Sequence, residues 1–279
     1  MDIFAALQYS FIRRAFIAGS LIALVCSILG VLLVLRRLSL IGDGLAHVTF
    51  GSVAVALLLR QPPSFVAIPI VVASSLGIMK LMQKARLYGD AAIGIVSSLG
   101  IAGGVIVASL SGGFNVDLFS FLFGNILSIS SAEVVTSIIL SGIVLSVVFL
   151  FYNEYFSTTF DEEFARISGI NVRKINSLLV ILTGITVVLT MKVVGIMLTS
   201  ALLILPAVTA LQIAKSFRNT MILSSISGVS SVIVGIYSSF LLNLPTGATI
   251  VLVNFLFFIT AFLSRRAVRI SRQQAKTWR

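Results

Sequence analysis

Charge is what this 279-residue chain has least of: Asp, Glu, Lys and Arg make up 10% of it, against roughly 25% in soluble domains. A soluble globule is excluded. Cysteine occurs once, at Cys26, which rules out an intrachain disulfide and any CxxC zinc or redox site. Within an apolar run that thiol reads as a small packing residue. Histidine also occurs once, at His47. No GxxxxGK(S/T) loop is present to cradle nucleotide phosphates. No chain of carboxylates runs through the apolar segments, as proton or sodium coupling would require, and no nucleophile triad or carboxylate pair supports catalysis. The chain reads as neither an enzyme nor an independent energy converter.

What fills it instead is apolar: 58% hydrophobic residues and a mean hydropathy of +1.13. Runs of about 20 apolar residues, each long enough to cross a bilayer, recur from end to end. An all-α polytopic membrane protein is the result, with spans predicted at 15–35, 43–59, 64–82, 91–110, 134–152, 175–191, 194–214, 221–242 and 248–263. The count is nine, or eight if two early segments form one broken helix. A single transmembrane domain would then occupy 15–263. It would be preceded by a short interfacial helix over 1–14, with Phe4, Leu7 and Phe11 on one side, and succeeded by a basic tail over 264–279. Since Arg13 and Arg14 lead into a run too long for a cleavable leader, none is expected. Pro206 should kink its helix, and Lys192, beside a helix end, reads as a snorkelling residue. The segment 111–132, with Asn115, Asp117, Gly124 and Asn125 among phenylalanines, looks like an outer loop with a partly inserted helix.

The net charge of +11 does not imply nucleic acid. With the C terminus in the cytoplasm and nine spans, only Arg13, Arg14, Arg60 and Lys192 of the twenty basic residues fall outside, as the positive-inside rule prefers.

Chemistry concentrates in one place. Asp43 and His47 are four residues apart, so on a helix they share a face. A carboxylate beside an imidazole suits Zn, Mn or Fe better than Ca or Mg. Two ligands are half a shell, which a second copy across a two-fold axis would complete. A structural hydrogen-bonded pair is the blander reading. Ionisable groups within a bilayer, however, point to a pathway. By span counting, Asp43 falls nearer the cytoplasmic end of its helix than the midplane, which would make the pair a gate instead of a central site. Asp117 and Glu133 could approach a cation path, although a solvated loop accounts for each.

Polarity returns at 153–174, the longest charged stretch between spans. A short helix starting near Thr159 or Asp161 and stopped by Gly169 fits it, with acids in the first turn. Phe164 and Ile167 on one face suggest a knob that docks into a partner's groove.

Five segments in order, LVLRRLSLIGDGLAH, VDLFSFLFGNIL, FDEEFARISGINV, MKVVGIMLTSALLILPAVTA and LPTGATIVL, resemble the membrane permeases of bacterial ABC importers for zinc, manganese and chelated iron. The resemblance covers nearly the whole chain. It implies the fold of the vitamin B12 and siderophore permeases with fewer spans, in a bacterial or archaeal cytoplasmic membrane. It also implies a homodimer, cytoplasmic ATPase subunits and an extracellular or periplasmic solute-binding protein. Asp161, Glu162, Glu163, Ala165 and Gly169 match the coupling loop of such importers. Asp43 and His47 match positions that meet the metal in transit, with Mn, Zn or Fe as cargo and no permanently bound cofactor. Asn125 stands where an acid is common. A permease for a siderophore or cobalamin, and a regulatory subunit whose histidine senses pH, are the alternatives.

Overall fold

Burial of apolar length against apolar length organises the chain. The computed structural model describes residues 9–84, 88–111, 116–125 and 129–277, and among these there is no strand. Twelve α-helices succeed one another: α1 Ser10–Leu35, α2 Leu40–Leu58, α3 Pro63–Lys84, α4 Gly89–Leu110, α5 Val116–Phe123, α6 Ser131–Leu150, α7 Tyr152–Phe160, α8 Glu162–Ile167, α9 Val172–Thr190, α10 Thr199–Ile213, α11 Phe217–Leu242 and α12 Thr246–Thr277. Among the described residues nine helical segments are long and apolar enough to cross a membrane, so the nine-span expectation holds and the broken-helix alternative falls away.

Helices α1 and α2 form the centre. Ala15, Ile22, Cys26, Leu29, Leu32, Ile41, Leu45 and Val53 are fully buried in them. The outer helices keep apolar faces exposed, with Leu99 and Ile106 on α4, Ile139 on α6 and Leu252 on α12 turned outward, as lipid contact requires. Glycine brings α2 against α4. A methyl group on Gly100 would strike the backbone of Val48 at 2.8 Å, and one on Gly51 would meet the carbonyl of Gly100 at 2.6 Å, a close approach that only small residues permit.

Several boundaries differ from expectation. Residues 10–14 are the first turns of α1, not part of a separate interfacial helix, because Ile12 packs into the core at 1% exposure. Residues 1–8 of that expected helix lie outside the described residues. Tyr152 belongs to α7, since α6 ends at Leu150. Thr159 belongs to the separate α7. Of the two starts expected for the short helix ended by Gly169, the structure has Asp161, which leaves the helical conformation and caps α8 by accepting the Phe164 N–H at 2.9 Å. Gly169 comes after it in the left-handed region at φ +86°, where glycine ends helices without steric cost. Helix α10 runs on through Pro206.

The α9–α10 connection does not reach the end of the bundle. Val193 packs over Gly19, nine residues and about 13 Å along α1 from its start, and Met191, Val193, Val194 and Ile196 are all buried. Helix α5 covers this turn with Phe121 and Leu122 buried beneath it, consistent with a partly inserted helix in the 111–132 segment.

Candidate metal pathway and coupling surface

Asp43 sits in the first turn of α2 and His47 one turn later. His47 Nε2 lies 3.6 Å from Asp43 Oδ2, and the Ser200 hydroxyl, in the first turn of α10, donates to Asp43 Oδ1 at 3.4 Å. Two helix N-termini thus approach one carboxylate, and both favour negative charge there. The other imidazole nitrogen, Nδ1, is buried without a hydrogen-bond partner. Asp43 keeps 50% of its side chain exposed and His47 22%, so the pair opens away from the chain's own core. Among the described residues no three His, Cys, Asp or Glu side chains gather. One copy offers one carboxylate and one imidazole, fewer donors than a coordination shell needs.

The contacts of this pair set it beside mid-helix residues of its neighbours. Gly100, against which the His47–Val48 backbone packs, is midway along the 22-residue α4. Leu45, between the two ligands in sequence, covers Gly184 of α9 together with Val71 of α3.

At the far side of this layer, three glycines converge. An added methyl on Gly195, at φ +95°, would strike the Gly124 nitrogen at 2.5 Å; one on Gly124, at φ +77°, would meet the Val194 carbonyl carbon at 2.7 Å; one on Gly247 would meet the Phe123 oxygen at 2.8 Å. The segments FGN, VVGIM and LPTGA, far apart in the chain, are held together by this absence of side chains.

Lys192 does not snorkel. Its ammonium lies 3.1 Å from Glu133 Oε1 and 4.5 Å from the centroid of the Phe121 ring, because the turn that carries it is inside the bundle and a carboxylate is the nearest compensation. Glu133 also closes a capping box at the start of α6, accepting the Ser130 N–H at 2.8 Å. A cavity of about 340 Å³ lies beside this pair, bounded by Pro62, Pro63, Phe65 and Leu189. The side chain of Asp117 lies outside the described residues.

On α8, Ala165 is fully buried while Glu162 and Glu163 are exposed. Phe164 and Ile167 stand 62% and 85% exposed, an apolar pair offered to solvent outside the membrane spans. Ser200, Lys192 with Glu133, and the glycine cluster escape a reading of the sequence, since only the fold brings them together.

Known proteins match this chain over most of its length. The profile of the family described as ABC 3 transport family matches residues 8–265. The manganese transport system membrane protein MntC of Listeria monocytogenes is 36% identical over 257 residues, 92% of this chain and 91% of that protein. A probable iron transport system membrane protein of Haemophilus influenzae is 31% identical, covering 95% and 97%. A solved structure, PsaBC from Streptococcus pneumoniae in complex with Fab, superposes with a TM-score of 0.86 at 29% identity over 96% of this chain and 98% of that one.

Proposed function

The chain belongs to the ABC 3 transport family, and from that premise we propose that it is the membrane permease of an importer for a divalent first-row transition ion, manganese, iron or zinc. It is a multi-pass membrane subunit of an ABC transport complex; the ATP is hydrolysed elsewhere in that complex. The relatives named for manganese and iron support the cargo class. The observation that carries the reading is the Asp43 and His47 pair, 3.6 Å apart with Ser200 beside it, half-open and level with the middle of helices that hold almost no other charge.

In this reading two copies face each other across a two-fold axis, and each gives a carboxylate and an imidazole to the ion. A solute-binding protein delivers the ion from outside. ATPase subunits receive α8 with the cap Asp161, the acids Glu162 and Glu163, the packed Ala165 and the stop Gly169, and the C terminus lies in the cytoplasm. Nucleotide binding then shifts the two copies between outward and inward openings. The ligand set is sparse, which favours release as well as entry.

The test is metal accumulation by cells or liposomes carrying the Asp43→Ala, His47→Ala double variant together with the ATPase and binding protein. Uptake should fall at least tenfold while the complex still assembles. Uptake with wild-type kinetics would remove the pair from the pathway.

A further inference from the structure

We propose that Arg36 is a positioning residue, the joint through which movement of the α7–α8 segment reaches helix α2 and the ligands it carries. This rests on the reading of α8 as the ATPase-facing element and deepens it.

Arg36 caps the end of α1 and spends its two terminal nitrogens on two other elements. Nη1 donates to the side-chain oxygen of Asn176, in the second turn of α9, at 2.6 Å, and Nη2 donates to the carbonyl of Thr158, in the last turn of α7, at 3.0 Å. That carbonyl has no partner within its own helix, because α7 stops two residues later. A guanidinium at a helix C terminus is also favoured by the dipole. Thr158 and Tyr155, which form this face of α7, are buried. Burial pulls the guanidinium pKa down, and the Glu162 carboxylate, on α8, pushes it back up. The arginine is therefore bonded to α7 directly, and α8 follows α7 after the single residue Asp161.

The corner between Arg36 and α2 is stiff. The Leu38 N–H donates to the carbonyl of Leu33 at 2.8 Å and the Arg37 N–H to that of Val34 at 3.1 Å, the two bonds of a Schellman corner. Arg37 holds the left-handed position at φ +58°, where glycine is the usual occupant. The Ile41 N–H then donates to Leu38 at 3.0 Å, and α2 is under way with Asp43 in its first turn. No flexible linker separates the arginine from the ligands. A shift of the α7 terminus against α9 must break one of the two guanidinium bonds or carry the corner with it.

Coupling efficiency is the readout that a purely structural cap would leave unmoved. In liposomes containing the full complex, manganese moved per ATP hydrolysed should fall at least tenfold in Arg36→Gln, with co-purification of the ATPase and ATP hydrolysis kept within about twofold. Asn176→Ala, which removes one bond and leaves the arginine, should lower the ratio two- to fivefold, and the double variant should be no worse than Arg36→Gln alone. A wild-type ratio in Arg36→Gln overturns the proposal, and so does loss of transport accompanied by loss of the ATPase and of thermal stability in both single variants. The Asp43→Ala, His47→Ala variant run alongside separates the two ideas: wild-type uptake there defeats the cargo site, while the Arg36 ratio still decides the joint.

Discussion

The backbone N–H of Asn125 donates to the carbonyl of Lys192 at 3.0 Å, tying the end of α5 to the buried turn between α9 and α10. Around that bond Gly124, Gly195 and Gly247 leave no room for a side chain. Gly195→Ala adds a methyl group that strikes the Gly124 peptide, in a backbone conformation that L-residues rarely adopt, and the atoms it meets are backbone, which cannot rotate away. The loss should be about 3 kcal/mol or more. Thermal melts of the detergent-solubilised protein check this, with Gly103→Ala, where nothing lies within 4 Å, as the tolerated control.

Lys192 and Glu133 are partly shielded, at 21% and 32% side-chain exposure, and link the same turn to α6. Lys192→Met and Glu133→Gln should each destabilise the protein, and the double-mutant cycle should return a coupling of about 1 kcal/mol. Additive effects in the melts would mean that the pair contributes nothing as a pair.

Ser200 holds Asp43 through a 3.4 Å contact long enough to be weak. Ser200→Ala should lower metal uptake a few-fold, far less than loss of Asp43 or His47, and the loss should appear in the apparent affinity for metal more than in the maximal rate.

Phe164 and Ile167 expose most of their surface on α8. Burying such a side chain in a partner's groove is worth roughly 2 kcal/mol, so Phe164→Ala, Ile167→Ala should weaken association with the ATPase by tenfold or more, measured by pull-down at increasing dilution. The buried neighbour Ala165 gives the opposite kind of variant: Ala165→Leu should disturb α8 itself, because the site is already filled.

The sidedness behind these readings can be measured with thiol reagents. Cys26 is buried in α1 and should stay silent. Gln61→Cys, in the exposed turn before α3, should label in intact cells, and Lys215→Cys, between α10 and α11, only after permeabilisation.

Much of this architecture is legible in the residues alone. Apolar length announces the spans, and the four-residue spacing of Asp43 and His47 announces a shared helical face that the 3.6 Å approach realises. Other features are not legible, for identifiable reasons. Ser200 is one hydroxyl among many, and nothing local ties it to residue 43. Lys192 looks like a residue at a helix end, and only the sinking of its turn beneath α5 makes Glu133 its partner. That His47 packs beside the midpoint of α4 cannot be seen from α2 alone, because the contact is made by Gly100 on a neighbouring helix. Asp161 is visible as an acid in a first turn, yet the separate helix before it, with Tyr155 and Thr158 buried and Arg36 of the distant α1 corner bonded to it, is not.

Helix α12 runs unbroken for 32 residues, from Thr246 to Thr277, about 48 Å of rod where a hydrocarbon core takes up about 30 Å. Its last turns therefore project beyond the lipid as a stiff mast in place of a tether. A fluorophore fused after it would ride at a fixed height and bearing, so energy transfer to a labelled nucleotide-binding partner would register the opening and closing of the assembly as a distance, undiluted by linker slack.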